Sequence, residues 1–90
     1  MGYIIKKRES YKITGAKGEY TIPAITDLSI DDVELLTEYS ESQDAKRKVE
    51  ICKEFLLKYA PDLEKEEIGD MQYFMIFNDY NTSQGKDLGE

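Results

Sequence analysis

An α+β fold, with a small N-terminal β-hairpin followed by three helices and mainly helical in content, is what the sequence predicts. Three observations lead there. Two short alternating runs, Tyr11-Lys12-Ile13 and Tyr20-Thr21-Ile22, flank the glycine-containing stretch Gly15-Ala16-Lys17-Gly18. A helix-start signature follows at Leu28–Val33. Apolar residues then recur at spacings of three and four from Ala45 to Tyr59. The 90 residues make one domain with one small core, which a partner can complete. Its compact part is placed at 1–81.

Residues 1–9 read as an extended segment or an edge strand, because Lys6, Lys7 and Arg8 after Tyr3-Ile4-Ile5 suit an exposed edge. The hairpin is expected at 11–22, with apolar residues at every second position on either side of the glycine loop. Pro23 ends the second strand because it lacks the N–H that a ladder needs. A lone hairpin is marginal in water, so it must pack on helices or pair with the leading segment.

The first helix is expected at 29–40. Ser29 is the N-cap, and Asp32 takes the N3 place of a capping box. Leu28 and Val33 form the hydrophobic staple, and Asp31, Asp32 and Glu34 suit the positive end of the helix dipole. Val33, Leu36 and Tyr39, with Leu35 beside them, make the expected inward face. The second helix is expected at 44–60, with Ala45, Val49, Cys52, Phe55, Leu56 and Tyr59 as its apolar side. Cys52 lies inside that stripe and reads as a small buried hydrophobe, since no visible partner activates it. Pro61 biases Ala60 away from the helical region, and Leu63 can fold back on the helix end.

The third helix is expected at 64–80, and it carries the densest apolar run, Met71–Phe77. At about 100° per residue this run gives two apolar faces. Ile68, Met71, Phe74 and Met75 gather on one side and are assigned to the core. Tyr73, Ile76, Phe77 and Tyr80 gather opposite and are assigned to partner binding, because Tyr buries its ring well while its hydroxyl tolerates water. Two other readings stay open: a central helix covered on both sides by its own chain, and a strand, since a short apolar run does not settle its own period. Gly69 counts against the helix by about 1 kcal/mol relative to Ala. The tail 82–90 is small and polar and is expected to be disordered.

Charge and chemistry exclude several classes. A net charge of −7 argues against a general nucleic-acid binder. No apolar run approaches the roughly 20 residues of a membrane span, and no apolar stretch follows the basic N-terminal residues as a secretory signal requires. The single Cys52 cannot form an internal disulfide, which fits a reducing cytoplasm. From Glu19 to Asp44 there are eight acids and no base, whereas Ala45 to Ala60 is basic and Pro61 to Asn81 acidic again. Segments of opposite sign can lie side by side, so the alternation points to pairing within the fold. There is no His, no P-loop and no dinucleotide fingerprint. Asp27, Asp31 and Asp32 do not follow a calcium-binding loop. The expectation is a binding module without catalysis, cofactor or metal.

The order of hairpin, Tyr20-Thr21-Ile22-Pro23 and helix-opening Asp27-Leu28-Ser29-Ile30 resembles the tail assembly chaperones of long-tailed phages and prophages of Gram-positive bacteria. Phe55-Leu56-Leu57-Lys58-Tyr59-Ala60-Pro61-Asp62-Leu63 is similar to that family's second helix and proline break, and the closing helix is in place. The similarity runs from Tyr11 to Tyr80 through short, mostly structural motifs. It implies a cytoplasmic protein of the bacterial host that coats the helical tape-measure protein while tail-tube subunits assemble, and that is absent from the finished virion. The tape-measure protein, and the tail-tube protein beside it, are the implied partners, with self-association through the closing helix when they are absent. Members are often made in two lengths by a backward one-base ribosomal frameshift. Gln84-Gly85-Lys86 permits a slippery codon run that only the nucleotide sequence decides. An alternative from another class is an acidic DNA mimic or other small inhibitory phage protein, supported by Glu19 to Asp44 and opposed by the two basic blocks that interrupt any phosphate-like face.

Overall fold

Strand β1, Tyr11–Thr14, pairs antiparallel with β2, Glu19–Ile22, in a two-stranded sheet with Tyr11 opposite Ile22 and Ile13 opposite Tyr20. The alternation fixes the inner face: Tyr20 and Ile22 are buried, whereas Lys12, Thr14, Glu19 and Thr21 face outward. The computed structural model describes residues 2–5 and 8–88, with the backbone alone at 85–88. The N-terminal residues 2–5 and 8–10 form no strand, so the expected edge strand is absent among the described residues. Lys6 and Lys7 lie outside them. The physical reason is local: Lys6-Lys7-Arg8-Glu9-Ser10 has no Gly, Pro or Asn to fold the segment back on β1. β1 is held instead against the last helix, where the Tyr11 and Tyr80 rings meet edge to face at 5.5 Å.

After Pro23 a 3-10 turn, Ile25–Asp27, leads to helix α1, Ile30–Glu41. The capping box forms as expected. The Ser29 hydroxyl accepts from the Asp32 N–H, and the Asp32 carboxylate accepts from the Ser29 N–H. Leu35, Leu36 and Tyr39 are half-buried, but Val33 is exposed and does not belong to the inward face. Helix α2 spans Ala45–Tyr59, with Asp44 as N-cap accepting from the Lys46 N–H at 3.1 Å. Its buried side is Ile51, Cys52, Phe55 and Leu56. Ala45, at the exposed start, lies outside it.

The chain next takes a 3-10 turn over Pro61–Glu66, with Leu63 folded into the core as expected. Helix α3 runs Asp70–Leu88, displaced towards the C-terminus from the expected 64–80. Two local causes explain the late start. Glu67 adopts a left-handed conformation, φ 56°, which breaks helical propagation. The Glu66 carboxylate is taken by the hairpin loop, accepting from the Ala16 and Lys17 N–H groups at 2.9 Å and from the Tyr20 hydroxyl at 2.6 Å. A Cβ at Gly15 would lie 2.4 Å from that carboxyl carbon, so any larger residue there would push the Glu66 carboxylate out of its place on the loop. The helix also continues past Tyr80 to Leu88 in place of the disordered tail expected over 82–90, whose last two residues lie outside the described ones. Gln84 is buried, and its Oε1 accepts from the Ile25 N–H at 2.9 Å, satisfying a donor that the start of the 3-10 turn leaves open.

The core sits where α2, α3 and the inner face of the hairpin meet. Phe55 is its hub, with ring centroids 5.4 Å from Phe77 and 5.5 Å from both Tyr59 and Tyr80. Contacts of this kind contribute beyond their buried area. The charge alternation resolves into topology. Basic α2 meets acidic neighbours through Lys58–Asp32 at 2.7 Å, Arg47–Glu38 at 2.6 Å and Lys53–Asp70 at 3.0 Å.

Candidate protein-binding face

Asp32 shows how tightly α1 is fixed to α2. Its carboxylate is buried and accepts hydrogen bonds from Lys58 Nζ, the Tyr59 hydroxyl and Ser29. Burial pushes its pKa up, but the hydrogen bonds from Lys58, Tyr59 and Ser29 outweigh that and hold it below the ordinary value. The capping residue of the sequence reading thus also locks two helices together. The Cys52 thiol, fully buried, is pushed up to about 11 by that burial, as expected of an inert packing residue. Among the described residues no cluster of His, Cys, Asp or Glu is arranged to hold a metal ion. No helix among them is long and apolar enough to cross a membrane.

On α3 the two apolar faces exist, but their burial is the reverse of that expected. Tyr73, Phe77 and Tyr80, assigned to partner binding, are buried in the core, and Ile76 is half-buried against it. Met71 and Met75, assigned to the core, are 63 % and 65 % exposed. Ile68 and Phe74, half-buried, flank them. The reversal has a physical cause. Aromatic rings bury the larger apolar area, so a helix with one side to bury turns its aromatic side inward. A buried tyrosine hydroxyl needs a partner, and that of Tyr80 has one: it donates to the Pro23 carbonyl at 2.8 Å. That carbonyl is free because the strand has just ended. Tyr73 lies beside the Lys53 ammonium, 5.6 Å from its ring centroid, and no buried side-chain polar atom among the described residues lacks a partner.

The exposed face is therefore Met71 and Met75, one turn apart, with Ile68 on one flank and Phe74 on the other. Phe74 reaches the Tyr39 ring of α1 at 6.4 Å, so the face grades into the α1–α3 contact. Beneath it Tyr39 packs edge to face on Phe77 at 4.8 Å and donates to Asn78 Oδ1 at 3.0 Å, giving the methionines a firm base. The Lys53–Asp70 ion pair borders the start of the helix. Flexible, polarizable thioethers on a rigid helix can shape themselves to more than one apolar surface. The sequence signal that points to them is the aromatic count: three of the four residues on the opposite side are Tyr or Phe, against one here. Comparison of the chain with protein-family models, with characterised proteins and with solved structures finds no match.

Proposed function

We propose that the chain is a non-catalytic tail assembly chaperone that holds the helical tape-measure protein in the bacterial cytoplasm through Ile68, Met71, Phe74 and Met75. The observation that carries the reading is the pair Met71 and Met75, both largely exposed on a helix whose other side is fixed in the core. An amphipathic helix laid on such a face contributes apolar residues at the same three- and four-residue spacing. Burying each methionine contributes about 1.5–3 kcal/mol, so the two supply a part of the roughly 8 kcal/mol of a micromolar complex, and Ile68, Phe74 and further contacts must supply the rest. The match between a methionine surface and a long partner of repeating helical pattern supports the tape-measure protein over a single short ligand.

Co-expression with a tape-measure protein tests it. Met71→Glu with Met75→Glu should keep the circular dichroism of the parent, because both side chains already meet water, yet lose the partner on co-purification. Recovery of the partner by the parent should persist in high salt, as apolar contacts do. A double variant that folds and still retains the tape-measure protein would eliminate this face as the binding element.

A further inference from the structure

Met71, Met75 and Asp79 stand four residues apart along α3, and all three are exposed. At about 3.6 residues per turn each step of four advances by only about 40°, so they form one line about 12 Å long. The methionine stripe therefore ends on a carboxylate, which is held in place but not neutralised. The Tyr11 hydroxyl of β1 donates to its Oδ2 at 2.5 Å, while Oδ1 accepts no hydrogen bond among the described residues. Asp79 makes no ion pair among them either. At the other end of the stripe Asp70 is matched by Lys53 at 3.0 Å. No Lys or Arg occurs from Asp70 to Gln84. The line is thus balanced at its start, apolar along its middle and negative at its end.

We infer that Asp79 fixes the direction in which a partner helix lies on α3, by taking a Lys or Arg placed one turn beyond the apolar residues that cover Met71 and Met75. The partner is then an amphipathic helix whose apolar stripe carries a base at one end. Two adaptable thioethers accept a helix in either direction, so the methionines alone do not choose between them. The carboxylate does. In the reverse orientation the partner's base meets Asp70, whose charge Lys53 already balances. The Tyr11 hydroxyl has set the Asp79 carboxylate beforehand, so little side-chain freedom is lost when the base arrives. The pair is exposed, and it selects direction and register more than it adds affinity. This inference rests on the reading of the methionine face as a helix-binding surface, but not on which protein supplies the helix.

The test titrates the whole chain, labelled at its methionine methyl groups, with a designed helical peptide of about 20 residues. The peptide carries a leucine stripe at three- and four-residue spacing, one lysine a turn beyond the last leucine, and a nitroxide at the opposite end. Matched peptides carry glutamine or glutamate in place of the lysine. The lysine peptide should shift the Met71 and Met75 methyl signals and bind about two- to fivefold tighter than the glutamine peptide, with the glutamate peptide weakest. Its nitroxide should broaden Met71 more than Met75. Salt at about 0.5 M should bring the ratio of lysine to glutamine affinities towards one. Asp79→Asn, which keeps the size of the side chain, should level the lysine and glutamine peptides, and Asp79→Lys should make the glutamate peptide the tightest. Tyr11→Phe removes the hydroxyl and leaves the charge, so its preference for lysine should persist. Equal binding of the lysine and glutamine peptides by the parent, a lysine preference that survives Asp79→Asn, a nitroxide nearer Met75, or no methionine shift with any peptide would each overturn the inference. The peptides contain no tape-measure sequence, so a parent that prefers lysine yet fails to retain the tape-measure protein keeps this inference and removes the chaperone reading.

Discussion

The Tyr80 hydroxyl donates to the Pro23 carbonyl at 2.8 Å across 57 residues of sequence, joining the end of the hairpin to the last helix inside the core. The bond gives a buried phenol its partner at a carbonyl just past the end of the strand, and so permits the aromatic side of α3 to turn inward. Tyr80→Phe keeps the ring and strands the carbonyl. The expected loss is about 1–3 kcal/mol, read as a fall in melting temperature of several degrees.

Tyr73→Ala with Phe77→Ala should unfold the protein instead of exposing an idle surface. Each change opens a cavity in the core, that at Phe77 beside Phe55, and Phe→Ala in a core costs about 3–5 kcal/mol alone. The sum approaches the whole stability of a small domain. Far-ultraviolet circular dichroism with a thermal melt reads it directly. A cooperative melt close to that of the parent would return these residues to the surface.

Leu56→Ala should cost about 2–5 kcal/mol, because Leu56 is fully buried in α2. Cys52→Ala should cost less, removing only a sulfur. The native thiol should react with an aromatic disulfide reagent only as fast as the protein opens, since burial raises its pKa to about 11 and blocks access. Labelling that matches a free thiol in denaturant would show Cys52 to be accessible.

Acid should loosen α1 from α2. The folded Asp32 holds its proton less readily than the unfolded one, so the unfolded chain binds the proton first as pH falls. The stabilisation is complete above the ordinary carboxylate pKa of about 4 and is lost as pH drops through the folded value. Glu38 beside Arg47 and Glu66 beside the Tyr20 hydroxyl are lowered too and act in the same direction. Asp32→Asn should lower stability at neutral pH and flatten part of the acid limb in denaturant titrations below about pH 4. An unchanged limb would mean that Asp32 does not titrate with folding.

Gln84→Ala tests whether the late part of α3 belongs to the fold. Without the amide oxygen the Ile25 N–H loses its acceptor, which should cost about 1–3 kcal/mol. Ser83→Ala, one residue earlier and only half-buried, serves as the control and should change little.

Much of this fold is legible in the sequence because its signals are local. Ser29 and Asp32 sit three residues apart, Gly15–Gly18 separates two alternating runs, and Pro61 stands where α2 stops. Each determines its element without reference to distant residues. The third helix is misjudged at both ends for the opposite reason. Its start is set by Glu66 reaching a loop about 50 residues away, and its continuation by Gln84 reaching Ile25 across 59. Nothing within a local window carries either contact. The candidate face follows the same division. Two apolar sides are readable from periodicity and the aromatic count hints at the buried one, but the partner that lets the Tyr80 hydroxyl be buried, the Pro23 carbonyl, is visible only once the hairpin and α3 are together.

The Tyr11 hydroxyl donates to Asp79 Oδ2 at 2.5 Å, tying the first strand to the last helix across 68 residues. The hairpin and α3 therefore hold each other in place. A nascent chain emerging at about 5–20 residues per second can form α1 and α2 early, but the hairpin, held at its loop by Glu66, gains its contact with Tyr80 and Asp79 only after α3 has left the ribosome. Until then Ile22, Phe55 and Leu56 lie uncovered. Completion of the core waits on α3, and a chain cut before Tyr73 would keep its earlier helices but leave the core open.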